Sequence, residues 1–226
     1  VVIIIKNKDG TETKIEVPDG ATVTVKDKGG KTLGQFGPEK TKPSAADNSI
    51  DRKAAEWVIA QGGFVRVNGE GKERRAIAEL PKDRFTLTTA GLHNTKTTDV
   101  GLGQFKDCRD LTSLDLNNTQ VSDAGLAHLK ELKSLTYLDL DRTPVSDAGL
   151  AHLKELKGLT NLSLNSTPVS DAGLVHLKEL KGLTTLYLEG TKVSDAELVH
   201  LKELKSLTYL SLRRTKVTAK GLEAFH

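Results

Sequence analysis

The sequence contains no methionine, one cysteine and few aromatic residues. Aromatic side chains make up 4% of the 226 residues, so a core of this size must be aliphatic and mostly leucine. The single Cys108 excludes a disulfide within the chain and leaves the redox compartment open.

A strong excess of charge of one sign is also absent. The net charge is +3, and residues 95–226 carry 17 basic and 17 acidic side chains. A protein that binds the phosphate backbone needs a basic surface. We therefore expect no nucleic-acid partner.

Long hydrophobic runs are missing too. The apolar segment Val1–Ile5 is far too short to cross a bilayer, so we expect no direct membrane insertion. Its abrupt start, and the lack of a polar cap after Leu222 and Phe225, lead us to expect a fragment of a longer protein. We expect a monomer whose last repeat frays or packs end to end against a neighbouring molecule.

An internal repeat of 24 residues fills the C-terminal part of the chain. The block at 121–133 recurs unchanged at 145–157, with one substitution at 169–181 and two at 193–205. Between these blocks lies a second constant piece of the form Leu-Thr-x-Leu-x-Leu, first seen at 111–116. With a divergent first unit, about six units occupy 87–226, and such periodicity is typical of a solenoid.

Each unit combines two periodicities. Leu114 and Leu116 alternate with polar residues, which predicts a short strand with one buried face. Leu126, Leu129 and Leu132 follow at steps of three, which predicts a short helix capped by Ser122 and its acidic neighbour. Since parallel strands stack more closely than packed helices, the strands should line a concave face. The threonine that follows each strand should hydrogen-bond the backbone of the turn.

This pattern resembles the leucine-rich-repeat superfamily, and the phrase Val-Ser-Asp-Ala-Gly-Leu is similar to its cysteine-containing bacterial subclass. The resemblance implies an α/β fold, namely a curved leucine-rich-repeat solenoid with parallel strands on the concave face and short helices on the convex face. It implies no particular ligand, because the fold serves many functions.

The residues before the repeats divide into three segments. A small β unit is expected at 1–27, with turns at Asp9-Gly10 and Pro18-Asp19-Gly20. Residues 28–48 are interpreted as a linker because they are rich in Gly, Lys, Pro and Ser. Residues 49–86 should form an N-terminal cap, with a helix at 51–61, Trp57 as its lid, and a hairpin pairing 64–68 with 73–78.

Short motifs in this region, such as Val-Pro-Asp-Gly-Ala-Thr-Val at 17–23, resemble repeat-bearing proteins of the planctomycete type. Some of those are membrane-anchored serine/threonine kinases. The resemblance favours an extracytoplasmic, membrane-tethered location, and a cytoplasmic one stays open. The chain itself has no glycine-rich phosphate loop, His-Arg-Asp or Asp-Phe-Gly motif.

Regular columns of histidine and aspartate on the predicted helices invite a metal or acid–base interpretation. Helices packed about 8–10 Å apart hold equivalent imidazoles too far apart for zinc, whose bonds to nitrogen are about 2.0–2.1 Å long. Identical carboxylates at identical helix starts lack the unequal environments that acid–base pairs need. We expect neither a metal nor a cofactor, and no catalytic site. Cys108, which aligns with Leu132, should be a small core residue.

The outward strand positions vary where the rest of the unit is constant, and they hold all three tyrosines of the chain. Tyrosine is enriched at binding hot spots. The candidate ligand-binding residues on the concave face are Tyr137, Asp139, Asp141, Tyr187, Glu189, Tyr209, Arg213 and Arg214. Tyr187 and Tyr209 should lie one diagonal step apart, about 7–8 Å, and grip one side chain or an extended peptide between them.

These features favour a non-catalytic protein- or peptide-binding module, the interaction or sensor region of a larger protein. The alternative is an architectural spacer region of a membrane-tethered protein kinase, with no ligand of its own.

The glycine of Ser-Asp-Ala-Gly is replaced by Glu197 in one unit. A capping-box pattern at 194–197 makes it the third helical residue, with an ordinary helical φ. Glutamate in place of Gly125, Gly149 or Gly173 should then stabilise the protein by about 0.5–1 kcal/mol.

Overall fold

The computed structural model describes residues 2–6, 12–16, 23–26, 32–36 and 45–225, with side chains from 50 to 223. The chain divides into two compact units, Val1–Ala46 and Asp47–His226.

The described residues of the N-terminal unit include two antiparallel strand pairs. β1 (Val2–Lys6) pairs with β2 (Glu12–Glu16), which confirms the first predicted hairpin. β3 (Val23–Lys26) pairs with β4 (Thr32–Phe36). Because β4 lies inside 28–48, the linker interpretation is wrong for this stretch. The glycines and lysines around β4 gave the segment the composition of a linker, and the strand itself is only five residues long. The turns predicted at Asp9-Gly10 and Pro18-Asp19-Gly20 lie outside the described residues.

Helix α1 (Ala45–Ala60) is longer than predicted and begins within the segment interpreted as linker. It ends at Ala60, and Gly62 in the turn that follows has a φ of +84°, which suits a residue without Cβ. Trp57 lies edge-on against Phe105 of the first repeat, with ring centroids 5.8 Å apart. The predicted lid is therefore confirmed: α1 covers the apolar end of the first repeat.

The predicted hairpin of 64–68 with 73–78 is reduced to one antiparallel bridge with two reciprocal hydrogen bonds. β5 (Phe64–Val67) instead pairs antiparallel with the first repeat strand, and only an isolated bridge joins Val65 to Arg74. The second predicted strand contains a 3-10 turn, Ile77–Glu79. The edge of the repeat sheet offers β5 a full set of backbone partners, which a local hairpin would leave exposed.

Six parallel strands, one from each repeat, extend this sheet from β5. They are β6 (Leu87–Gly91), β7 (Ser113–Asp115), β8 (Tyr137–Asp139), β9 (Asn161–Ser163), β10 (Thr185–Tyr187) and β11 (Tyr209–Ser211). Equivalent residues pair across the sheet, for example Leu138 with Leu162 and Leu162 with Leu186. The register follows the 24-residue period, and the six predicted units are present.

Short helices connect the strands. They are α2 (Asp99–Leu102), α3 (Asp123–Leu126), α4 (Asp147–Leu153), α5 (Asp171–Leu177), a 3-10 helix at Leu198–Glu203, and α6 (Ala219–Phe225). The inward leucines of strands and helices are fully buried from Leu87 to Leu188, and Cys108 lies among them. Burial raises the pKa of the Cys108 thiol, as expected of a core cysteine. Among the described residues, no helix is long and apolar enough to cross a membrane.

Two sets of equivalent threonines donate hydrogen bonds to backbone carbonyls of the repeats. After each strand, a threonine hydroxyl donates to the carbonyl three residues earlier, as from Thr143 to Leu140 at 2.6 Å, which confirms the predicted role. Before each strand, another threonine donates to the preceding repeat, as from Thr136 to the carbonyl of Thr112 at 3.0 Å.

The aspartate at each helix start bonds to the next repeat instead of capping its own helix. Oδ1 of Asp123 accepts the backbone N–H of Ser146 at 2.7 Å, and Oδ2 accepts the Ser146 hydroxyl at 2.6 Å. Four further pairs repeat this arrangement: Asp99–Ser122, Asp147–Ser170, Asp171–Ser194 and Asp195–Thr218. We call these the Asp–Ser pairs, with Thr218 standing for serine in the last.

Ser122 lies at the N-cap with Asp123 in the first turn, as predicted, but its side chain makes no capping hydrogen bond. In the last two units the hydroxyls of Ser194 and Thr218 do accept a backbone N–H two or three residues later, from Ala196 at 3.3 Å and Gly221 at 3.2 Å.

The same carboxylates explain the glycines. The structure shows no positive φ at Gly125, Gly149 or Gly173, as predicted. However, a Cβ on Gly149 would collide with Oδ1 of Asp123, and the other two glycines face the same obstacle. We therefore expect glutamate at these positions to lower stability instead of raising it, because its Cβ would meet the carboxylate of the preceding repeat.

The fifth unit shows what happens when this glycine is absent. In the preceding unit, α5 begins at Asp171, which corresponds to Asp195 of the fifth unit. The 3-10 helix of the fifth unit begins only at Leu198, directly after Glu197. Glu197 is not the third residue of a helix, so the capping-box prediction is wrong. Its carboxylate contacts His200, with Oε2 2.9 Å from Nε2.

Candidate functional site

The outward residues of β8, β9 and β10 enclose a cavity of about 320 Å³ in the middle of the concave face. Its lining residues are Tyr137, Asp139, Asp141, Asn161, Leu162, Ser163, Asn165 and Tyr187. β9 forms the floor, and its Asn161 and Ser163 pair in register with Tyr137 and Asp139 of β8. We call this depression the β9 cavity.

Tyrosines flank the β9 cavity on both sides. The depression exists because the side chains of β9 between them are shorter. Tyr137 comes from β8 and is 39% exposed, while Tyr187 comes from β10 and is half-buried. Sequence reasoning placed Asn161, Ser163 and Asn165 on the concave face but outside the site. The sequence could have indicated them, because the outward residues of β9 are small and polar while those of both neighbouring strands include a tyrosine.

Asp139 has an unusual electrostatic environment. Burial raises its pKa to about 6, and the nearby charges of Asp141 and Asp115 add to the increase. The backbone N–H of Asp141 opposes this by donating to Oδ1 of Asp139 at 2.9 Å. The Tyr137 hydroxyl lies 3.4 Å from Oδ2. Burial together with these carboxylates also raises the pKa of Tyr137.

Asp141 is held by β9. It accepts hydrogen bonds from the Ser163 hydroxyl at 2.5 Å, the backbone N–H of Asn165 at 2.8 Å and Nδ2 of Asn165 at 3.0 Å. Asp115, one repeat earlier, contacts Nδ1 of His93 through Oδ2 at 3.0 Å. Asp115, Asp139 and Asp141 thus lie on the N-terminal and central part of the concave face.

Tyr187 and Tyr209 contact each other directly. Tyr187 pairs in register with Ser211, as predicted, but the two ring centroids are 5.1 Å apart with an interplanar angle of 50°. The rings are therefore closer than the separation of about 7–8 Å expected for diagonal neighbours of a sheet, because the flexible side chains turn towards each other and bury aromatic surface. The rings form a continuous aromatic patch and leave no slot between them for a ligand side chain.

Two arginines lie at the C-terminal end of the concave face. Nη1 of Arg214 is 3.5 Å from Oε1 of Glu189, so these two candidate residues form an exposed ion pair. Arg213 is exposed at the end of β11. The structure thus groups Tyr137, Asp139, Asp141 and Tyr187 around one cavity, while Tyr209, Glu189, Arg213 and Arg214 lie beyond it.

The remaining columns show no site of their own. His128 and His152 are exposed on the convex side. Among the side chains described, no group of three or more His, Cys, Asp or Glu residues is placed to hold a metal ion. A second depression, of about 370 Å³, lies on the convex side between Asp195 and Gly221, next to the displaced helix of the fifth unit.

Comparison with known proteins identifies the repeats. The family model for the leucine rich repeat matches residues 86–145, and a second leucine rich repeat model matches residues 200–225. A search of curated proteins finds no match. None of the matches described in this subsection is a protein kinase.

Two solved structures from Listeria monocytogenes are similar to the chain. The internalin InlF shares 25% identity with a TM-score of 0.51, and the match covers 61% of this chain and 38% of that one. The internalin C2 shares 23% identity with a TM-score of 0.37, covering 62% of this chain and 77% of that one. The chain thus spans less than half of the length of InlF, and the likeness concerns the repeat fold.

Proposed function

We propose that this chain, a leucine-rich-repeat protein, is a protein- or peptide-binding module whose contact surface is the concave face. The observation that carries the proposal is the distribution of sequence variation. Core leucines, threonines and Asp–Ser pairs are nearly constant from unit to unit, whereas no two units from β7 to β11 share the same set of outward strand residues. Constant positions maintain the fold, so the variable positions are free to specify a partner.

The physical character of that face supports the same function. Tyr137 and Tyr209 are large apolar side chains that are 39% and 51% exposed. Such exposed aromatic surface next to charged residues is typical of binding faces. The similarity to an internalin repeat domain adds that the same fold is used within longer bacterial proteins.

The test is selection of binders from a library of random peptides displayed on phage. Selected peptides should bind the chain and lose at least about tenfold in affinity when Tyr137→Ala and Tyr187→Ala are combined. The matched control combines His152→Ala and Lys154→Ala, two exposed convex residues, and should bind as the parent does. Peptides that bind the concave variant as tightly as the parent would place the contact surface elsewhere on the chain and contradict the proposal, and failure to select any peptide would favour the spacer alternative.

A further inference from the structure

The β9 cavity carries negative charge without a basic side chain in its lining. Two carboxylates, Asp139 and Asp141, line it, and the other lining residues are tyrosine, asparagine, serine and leucine. A concave surface lined by charge of one sign concentrates its potential and attracts the opposite charge. The cavity is therefore complementary to a cation.

The two carboxylates differ in how fully they are hydrogen-bonded. Asp141 accepts three hydrogen bonds from Ser163 and Asn165. Asp139 uses Oδ1 for the N–H of Asp141, but Oδ2 has only the Tyr137 hydroxyl at 3.4 Å. That distance exceeds the roughly 2.5–3.0 Å of a good O–H···O bond. Oδ2 of Asp139 therefore has acceptor capacity for an incoming N–H donor.

The tyrosines add a second attraction for the same kind of group. Tyr137 and Tyr187 both line the cavity. The face of a tyrosine ring attracts a guanidinium or ammonium group. The volume of about 320 Å³ is at the small end for ligand pockets, which span about 300–1,000 Å³. It suits one side chain better than a larger cofactor.

Resting on the proposed binding function, we infer that the β9 cavity accepts one arginine or lysine side chain of a protein or peptide partner. The ammonium or guanidinium group donates to Oδ2 of Asp139, and its aliphatic stem lies between Tyr137 and Tyr187. A bare divalent cation fits less well, since no group of three ligating His, Cys, Asp or Glu side chains occurs among the described residues. The interaction fixes the position of the partner along the concave face.

A pair of peptides that differ only in charge tests this inference. The probes are acetyl-Gly-Gly-Arg-Gly-Gly-amide and the same peptide with citrulline, which keeps the shape of arginine and lacks its charge. The readout is the shift of backbone amide signals of the ¹⁵N-labelled chain. For one side chain we expect a Kd on the order of 1 mM, shifts at residues 161–165, and binding at least about tenfold weaker for citrulline.

Two variants locate the interaction. Asp139→Asn removes the charge with little change of shape and should weaken arginine binding at least about tenfold. Asp110→Asn, at an exposed site outside the cavity, is the matched control and should bind as the parent does. Tyr137→Leu, which keeps apolar bulk but removes the π face, should weaken binding by about threefold or more and serves if Asp139→Asn does not fold.

Lowering the pH gives an independent check. Taking the solution from about pH 7.5 to about pH 5 should protonate Asp139 and weaken arginine binding in the parent. Asp139→Asn should lack this dependence. The carboxylates of Asp115 and Asp141 and the hydroxyl of Tyr137 act on Asp139, so the loss should be gradual.

The inference is overturned if the citrulline peptide binds equally well, if Asp139→Asn binds as the parent does, or if the shifts fall elsewhere, as at Tyr209 and Arg213. These results leave the proposed function standing when library peptides still bind the concave face through uncharged residues. If no library peptide depends on the concave face, the proposed function fails as well.

Discussion

The carboxylate of Asp123 occupies the space that a Cβ of Gly149 would need. Oδ1 of Asp123 also accepts the N–H of Ser146, so glycine at position 149 lets α4 begin at Asp147 beside an intact Asp–Ser pair. Where Glu197 replaces this glycine, the Asp171–Ser194 pair is kept and the helix begins later instead. The phrase Ser-Asp-Ala-Gly is thus a connection between repeats more than a local helix signal.

Alanine at position 149 should therefore destabilise the protein. Because both Asp171–Ser194 hydrogen bonds persist beside Glu197, we expect Gly149→Ala to move the start of α4 towards the C-terminus and to lose helical hydrogen bonds there, for a loss of about 1–3 kcal/mol in the free energy of unfolding. Urea unfolding of parent and variant measures it.

Gly103→Ala is the matched control for that variant. Gly103 also has helical backbone angles, but a Cβ there would meet only a His128 atom at 3.9 Å. It should be neutral or stabilising by up to about 1 kcal/mol, since alanine loses less chain entropy on folding. If Gly149→Ala proves at least as stable as the parent, the start of α4 at Asp147 does not require glycine at position 149.

Glycine at position 197 should repair the fifth unit. With Glu197→Gly, the helix can begin at Asp195 as it does in the repeats before it, next to the Asp171–Ser194 pair. Restored helical hydrogen bonds should outweigh the entropy of one added glycine, for a net gain of about 1 kcal/mol. Urea unfolding measures the gain, and circular dichroism at 222 nm should show more helix.

The control for this variant is Glu155→Gly. Glu155 is exposed in the turn after α4, so its replacement adds the same chain entropy without relieving any contact. It should lower stability by about 0.5–1 kcal/mol. Equal losses in both variants would mean that Glu197 is not what displaces the helix.

The pH dependence of stability should carry a contribution from Asp139. Its pKa is raised from 3.8 to about 6 in the folded protein, so the folded state holds the proton more tightly than the unfolded state. Between those two pKa values the unfolded chain binds fewer protons, and stability falls as the pH rises from about 4 to about 6. Above that window the ionised group continues to disfavour the fold.

Asp139→Asn should remove this contribution, so that the variant is less sensitive to pH than the parent between about pH 4 and 6 and more stable at about pH 7. Thermal or urea unfolding across this range measures both effects. Asp110→Asn, at an exposed position, should retain the pH profile of the parent. A profile of Asp139→Asn that superimposes on the parent would contradict the shifted pKa.

The sequence by itself determined the features that repeat within one unit. The alternation around Leu114 and the steps from Leu126 to Leu129 specify a strand and a helix, and the constant spacing of 24 residues specifies the parallel register. The threonine after each strand was also predictable, because its partner lies only three residues away. The partners in such interactions are only a few residues apart along the chain, so the sequence pattern of a single unit is enough to predict them.

Only the tertiary structure decided the interactions that depend on how units stack. The Asp123 carboxylate reaches Ser146 of the next repeat, β5 finds its partner in β6, and Tyr187 turns onto Tyr209. The sequence pattern within one unit had predicted a helix cap at the first place, a local hairpin at the second, and a space between the two tyrosine rings at the third. The distances between neighbouring repeats, which no single unit encodes, selected the other outcome in each case, and the same stacking places Asp139 beside β9 and creates the cavity there.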